Sequence, residues 1–199
     1  MVSDNSSPFQ RLFIALAVPP EIRVEIGRVQ GRLRRDAPPG AIRWTRQEQF
    51  HVTLKFLGDI PSAQLAALEP AVYQACAGRP ALRLSARGIG CFPNEQRPRG
   101  IWIRANDPDG QLAELRQRLD EAMRPFAPMA KPEKFTGHIT LGRFKPGRHA
   151  AIEKLLERAT VLRDRHFGDW TAVTVEIVRS ELSSTGARHT PLASCPLAC

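Results

Sequence analysis

Two short stretches, His51-Val52-Thr53-Leu54 and His138-Ile139-Thr140-Leu141, share one pattern: a histidine, an apolar residue, a threonine and a leucine. Side chains of a β-strand alternate between its two faces, so each histidine would share a face with its threonine. The apolar residues, with Phe56, would point to the opposite face. Two imidazoles and two hydroxyls on rigid strands suit an anionic centre such as a phosphodiester. The pattern therefore predicts one site built from two strands.

The surrounding hydrophobic periodicity predicts alternating strands and helices. Strands are predicted at residues 11–18, 42–44, 51–57, 82–85, 101–103, 137–144, 173–177 and 187–193, and helices at 20–35, 65–76, 112–123 and 152–159. Loops are predicted at Gly88-Ile89-Gly90 and from Pro93 to Gly100. The order strand, helix, motif strand, helix occurs at 11–77 and again at 101–160. This repeat predicts two similar lobes about a pseudo-twofold axis, with the motif strands facing each other across a cleft.

Length and composition predict an ordinary globular protein. The 199 residues are 42% hydrophobic and 25% charged, which is enough for one domain over residues 9–199 after a disordered segment at 1–8. The net charge of +9 comes from 29 Lys and Arg against 20 Asp and Glu. A charge of this sign favours anionic partners such as nucleic acid.

The cysteines and the apolar segments favour a cytoplasmic protein without a membrane anchor. The four cysteines have no C-x-x-C or zinc-finger spacing, and we interpret them as reduced thiols. The apolar run at 12–18 is too short for a signal peptide or a membrane span. No metal site is expected either, because the motif histidines lack helical i, i+4 spacing and have no carboxylate beside them.

The motifs and their flanks resemble the 2H phosphoesterase superfamily, and specifically the bacterial and archaeal RNA 2′,3′-cyclic phosphodiesterases, also called 2′-5′ RNA ligases. The stretches that carry the resemblance are Arg11-Leu-Phe-Ile-Ala-Leu, Arg43-Trp44, His51-Val-Thr-Leu-Lys-Phe-Leu-Gly58, Phe92-Pro93, His138-Ile-Thr-Leu-Gly-Arg143, Glu181-Leu and Gly186-Ala-Arg. They occur in the family's order over nearly the whole chain. The sequence departs from the family at Gly137, where proline is usual, at His189, where tyrosine is common, and in its cysteine-containing tail.

The resemblance implies an α+β, two-lobed fold whose antiparallel sheets line a central cleft, with helices outside. It implies that His51 is the proton donor and His138 the proton acceptor, and that Thr53 and Thr140 bind the phosphate, without metal or cofactor. An imidazole titrates near neutral pH, which suits both roles. The residues alone do not determine which histidine is the acid.

The substrate implied by the resemblance is RNA with a 2′,3′-cyclic phosphate end, transfer RNA fragments included, acted on by a monomer. Hydrolysis would leave a 2′-phosphate. An RNA 5′-hydroxyl in place of water would give a 2′-5′ linkage without ATP. Two alternatives remain open: a phosphodiesterase acting on another cyclic phosphate or nucleotide, and a non-catalytic RNA-binding protein with the same cleft. Intact histidines and threonines argue against the second.

Three further residues are candidates for substrate binding. Arg143 could contact the phosphate, but strict alternation places it on the apolar face unless the strand ends or bulges there. Trp44 and Phe92 could stack on a base, although core packing is the commoner role of such residues. We interpret the remaining histidines as structural or surface residues; they are His149, His166 and His189.

Overall fold

The computed structural model describes residues 8–127, 135–145, 152–183 and 186–198. The predicted disordered segment 1–8, apart from Pro8, and His149 lie outside the described residues. The strands are β1 (Phe9–Ala17), β2 (Ile42–Trp44), β3 (His51–Pro61), β4 (Leu82–Phe92), β5 (Gly100–Asn106), β6 (His138–Phe144), β7 (His166–Ala172), β8 (Thr174–Ser183) and β9 (Gly186–Pro196). The helices are α1 (Pro20–Asp36), α2 (Leu65–Cys76), α3 (Gln111–Ala122) and α4 (Glu153–Val161).

The strands form one antiparallel sheet with two similar halves. Its order is β7-β4-β5-β6-β3-β1-β8-β9, and β2 pairs with β6 outside this path. The two halves are joined at β6 and β3, where Val52 opposite Ile139 is the single paired position. The two motif strands are therefore the central pair of this path, and three further strands follow on the outer side of each. The predicted α+β fold with two lobes and a pseudo-twofold relation is confirmed.

A continuous apolar core lies between the sheet and the helices. The predicted stripe of α1 is buried, and so is that of α3; their buried residues are Ile22, Ile26, Val29, Leu33, Leu112, Leu115 and Leu119. An ion pair ties the first motif strand to α3, because Lys55 Nζ lies 2.5 Å from Asp120 Oδ1. None of the described helices is long and apolar enough to span a membrane.

Each motif strand contains a β-bulge directly after its threonine. The pairing of β1 with β3 skips Leu54, and the pairing of β5 with β6 skips Leu141. An extra residue reverses the alternation beyond it. Phe56 and Arg143 therefore turn to the face of the histidines, and both are exposed. The prediction that Phe56 lies on the apolar face is wrong. The bulge that Arg143 needs in order to face the cleft is present.

Three of the differences between the predicted and the observed strands have a clear physical reason. Residues 88–90 belong to β4 and not to a loop: Gly88 has φ of 70° at a register shift, where a Cβ would lie 2.1 Å from the Arg163 carbonyl oxygen. The first motif strand continues past Leu57 to Pro61 because it stays paired with β1. Strand β7 was not predicted, since Gly168 and Asp169 interrupt its pattern of buried residues.

Candidate active site

The two motifs meet in a cleft of about 440 Å³ at the junction of the lobes. The predicted site residues that line it are His51, Thr53, His138, Thr140, Arg143 and Trp44. The lining also includes Phe13, Phe56, His189 and three further arginines, Arg11, Arg43 and Arg46, with no carboxylate among them. A cleft lined by one sign of charge attracts anionic ligands.

The two imidazoles are held by equivalent backbone contacts. His51 Nδ1 donates to the carbonyl oxygen of Gln49 at 2.7 Å, and His138 Nδ1 donates to that of Thr136 at 2.8 Å. A carbonyl only accepts, so each neutral ring carries its proton on Nδ1. Nε2 is then the nitrogen available for proton transfer. The pseudo-twofold relation of the strands thus extends to the orientation of the rings.

Burial keeps both histidines neutral near pH 7. It lowers the pKa of His51 from 6.5 to about 4. The Gln49 carbonyl opposes this shift, and repulsion from Arg143 and from the protonated forms of His189 and His138 adds to it. Burial also lowers the pKa of His138, opposed by the Thr136 carbonyl and reinforced by Arg143. A bound anion would raise both pKa values by stabilising the imidazolium forms.

The hydroxyls and two arginines complete the polar lining. Thr53 Oγ1 donates to His51 Nε2 at 3.0 Å, while Thr140 lies at the equivalent place beside His138. Arg43 on β2 is the direct cross-strand partner of Arg143 on β6. Opposed like charges destabilise a sheet. Among the described residues neither arginine forms an ion pair, so a bound anion would relieve their repulsion.

Different aromatic groups flank the two histidines. The ring of Phe13 lies 4.8 Å from that of His51, and the His189 ring approaches His51 edge-on at 5.3 Å. Phe92 meets His138 edge-on at 4.9 Å and stacks on Trp102, also at 4.9 Å. His189, which we interpreted as a structural or surface residue, lines the cleft beside His51. His189 lies on β9, where it pairs with Ser180 of β8, and both residues line the cleft.

The two aromatic candidates differ in position. Trp44 lines the cleft and also packs against the core, where Gly142 makes room: a Cβ there would lie 3.2 Å from the Trp44 ring. Phe92 is 37% exposed beside His138, at the border of the cleft. The structure thus leaves a face of Phe92 accessible. Within the described ranges, no group of three His, Cys, Asp or Glu side chains is arranged to hold a metal ion.

Comparisons with known proteins give the family of the chain and agree with its fold. The family model described as LigT like Phosphoesterase matches residues 16–102. A Thermus thermophilus protein named RNA 2′,3′-cyclic phosphodiesterase is 30% identical over 193 residues, covering 92% of this chain and 87% of the relative. One of the same name from Methanothermobacter thermautotrophicus is 29% identical over 184 residues, covering 92% and 96%.

Solved structures agree over nearly the full length. A crystal structure of a Thermus thermophilus protein has a TM-score of 0.76 at 27% identity, covering 94% of this chain and 97% of the other. E. coli LigT complexed with 3′-AMP has a TM-score of 0.74 at 24% identity, covering 96% and 99%. The class of protein is therefore a phosphoesterase. The chain belongs to the LigT-like phosphoesterase family, which confirms the resemblance drawn from its motifs.

Proposed function

We propose that this protein hydrolyses the 2′,3′-cyclic phosphate end of RNA to a 2′-phosphate. One observation carries the proposal. Two imidazoles with Nδ1 held by backbone carbonyls lie in one arginine-lined cleft, so that both Nε2 atoms can exchange protons with one ligand. The relatives named RNA 2′,3′-cyclic phosphodiesterase support this substrate class.

In the proposed reaction, His138 acts as base and His51 as acid. Nε2 of His138 takes a proton from water as the water oxygen bonds to phosphorus. The bond from phosphorus to the ribose 3′-oxygen breaks, and protonated Nε2 of His51 gives its proton to that oxygen. The product is a 2′-phosphate with a free 3′-hydroxyl. His138 then loses its proton to solvent, and His51 takes up a new proton when the next phosphate binds.

The substrate itself would prepare His51 for this role. The cyclic phosphate is an anion, and its charge next to the imidazoles raises their pKa values. The pKa of His51, which is about 4 without a ligand, therefore rises, and a larger fraction of the ring is protonated and able to act as the acid beside the phosphate. Thr53 and Thr140 donate hydrogen bonds to the phosphate oxygens in this proposal. Arg143 offsets the charge that develops on them.

Other features suit an RNA end. The exposed face of Phe92 and the cleft side of Trp44 offer surfaces on which a base can stack. An RNA 5′-hydroxyl that replaced water would undergo the same two proton transfers and yield a 2′-5′ linkage, so ligation needs no ATP. In excess water, hydrolysis is the favoured outcome. We propose a cytoplasmic monomer, since one chain supplies both histidines, and transfer RNA fragments with cyclic ends as eligible substrates.

The test uses purified protein, EDTA and an oligoribonucleotide with a 2′,3′-cyclic phosphate end. We expect the mass of the oligonucleotide to increase by one water, and the product to co-migrate with a synthetic 2′-phosphate standard. A 3′,5′-cyclic nucleotide and a cyclic phosphate of ADP-ribose serve as comparison substrates. A 3′-phosphate product, an unchanged oligonucleotide, or faster turnover of either comparison substrate would contradict the proposal.

A further inference from the structure

A row of basic residues leads away from His138 across the second lobe. Arg104 on β5 is the cross-strand partner of His138, and Arg87 on β4 is the partner of Arg104. Directly paired residues share a face, and neighbouring strands lie about 4.8 Å apart. The arginines therefore stand one and two strands from the histidine, on its own side of the sheet. Both are exposed.

Arg87 and Arg104 differ from a neighbouring arginine in their partners. Arg83, four residues before Arg87 on the same strand, donates to both oxygens of Asp109, at 2.9 and 2.7 Å. Within the described part of the chain, neither Arg87 nor Arg104 forms an ion pair, and the two are directly opposed. Such opposition costs stability in a sheet. The same arrangement occurs at Arg43 and Arg143, inside the cleft itself.

The arginine row lies in a groove of about 750 Å³, here called the second-lobe groove. Its residues are Arg87 to Cys91, Asn94 to Gln96, Trp102, Arg104, Asn106, Arg163 and Asp164. Of its two carboxylates, Glu95 is bonded to Arg163 at 2.9 Å, which leaves Asp164 as the other acid. The volume is within the usual range of about 300–1,000 Å³ for ligand sites.

An aromatic platform connects the groove with the cleft. Trp102 lines the groove, stacks on Phe92 and lies 6.1 Å from the ring of His138. The glycine at position 90 makes this possible, because a Cβ there would lie 2.7 Å from the Trp102 ring. The guanidinium of Arg104 lies 6.0 Å from the Trp102 ring centre. Aromatic faces next to unpaired cations are the chemistry that binds single-stranded nucleic acid without base preference.

We propose that the second-lobe groove binds the nucleotides immediately 5′ of the terminal cyclic phosphate. Arg104 and Arg87 contact backbone phosphates of the RNA, and the Trp102 platform stacks on a base. This inference rests on the proposed function and adds to it a preference for polynucleotide ends over cyclic mononucleotides, which have no 5′ neighbour to fill the groove.

The test compares the double variant Arg87→Gln/Arg104→Gln with a control, Arg32→Gln/Arg34→Gln. The control removes the same charge from exposed positions of α1, outside the groove. Substrates are an octaribonucleotide with a 2′,3′-cyclic phosphate end and a 2′,3′-cyclic mononucleotide. We expect the ratio of kcat/KM for the octamer to that for the mononucleotide to fall roughly tenfold or more in the groove variant. In the control this ratio should match wild type.

Binding of an octamer with a 2′-phosphate end, followed by fluorescence anisotropy, tests the groove without turnover. Two lost phosphate contacts should reduce the slope of log K against log salt by about 1.4 in the groove variant, at about 0.7 per contact for single strands. A wild-type slope and affinity in the groove variant would overturn the inference. So would an unchanged octamer to mononucleotide ratio. If wild type hydrolyses neither substrate, the proposed function fails, while the binding slopes still decide the groove.

Discussion

The low pKa of His51 predicts that the folded protein loses stability in mild acid. The imidazole has its ordinary pKa of 6.5 in the unfolded chain and about 4 in the fold. Between these values the unfolded state binds more protons, so stability is present above pH 6.5 and is lost as pH falls towards 4. At about 1.4 kcal/mol per pKa unit, the full effect is about 3 kcal/mol. Between pH 7 and pH 5 it is about 2 kcal/mol.

The assay is urea unfolding of wild type and His51→Gln at pH 7 and pH 5. Glutamine does not titrate, so the variant supplies the pH dependence of all other groups. We expect wild type to lose about 2 kcal/mol more than the variant between the two pH values. Equal losses would refute the reasoning, because they would mean that His51 takes up its proton equally easily in the folded and unfolded chain.

Three further predictions follow from individual contacts. Asp120→Asn leaves the buried Lys55 ammonium without its carboxylate, so the free energy of unfolding in urea should fall by about 3 kcal/mol. Adding Lys55→Met to the same chain should restore most of this loss, and an unchanged urea midpoint in Asp120→Asn would contradict the prediction. Arg143→Gln should lower kcat/KM for the cyclic end about 100-fold, against no more than a small change for the α1 variant Arg34→Gln. Equal rates would contradict the role of Arg143 in offsetting the charge on the phosphate. The pH profile of kcat/KM should have its maximum below pH 6.5, because the pKa values of both histidines are lowered in the free protein. A maximum above pH 7 would argue against His51 and His138 as the acid and base.

The central pair of strands was predictable because its signal is local. A histidine and a threonine two residues apart share a face of any strand, and the two copies needed no knowledge of their neighbours. The lobes followed from the repeated order of elements. Both predictions depend on short-range periodicity, which the structure retains at Val52 and Ile139, where the motif strands pair.

The bulges and the position of His189 were harder to predict from the sequence. Leu54 and Leu141 are skipped because of how each motif strand pairs with its partner, and leucine itself gives no sign of a bulge. Gly142 was a usable signal, since glycine inside a strand often marks a bulge or a close approach. His189 reaches the site through a distant hairpin. Its role could not follow from spacing along the chain.

The two arginine pairs, unlike the motifs, could not be predicted from the sequence, for the same reason. Arg43 with Arg143, and Arg87 with Arg104, are neighbours only across strands, and their sequence positions show no common pattern. The overall charge of +9 indicated an anionic partner without locating its contacts. The register of the sheet places four of the arginines as two directly opposed pairs.

The central claim is that His51 and His138 form one acid–base pair, and single-turnover hydrolysis of a cyclic-ended oligoribonucleotide in EDTA tests it most directly. Wild type is compared with His51→Ala, His138→Ala and the double variant, each checked for folding by its urea midpoint. General acid–base catalysis contributes about 10²–10⁴-fold, so each single variant should lose that much. The double variant should lose far less than the product of the two single losses. A single variant that keeps the wild-type rate would contradict the account.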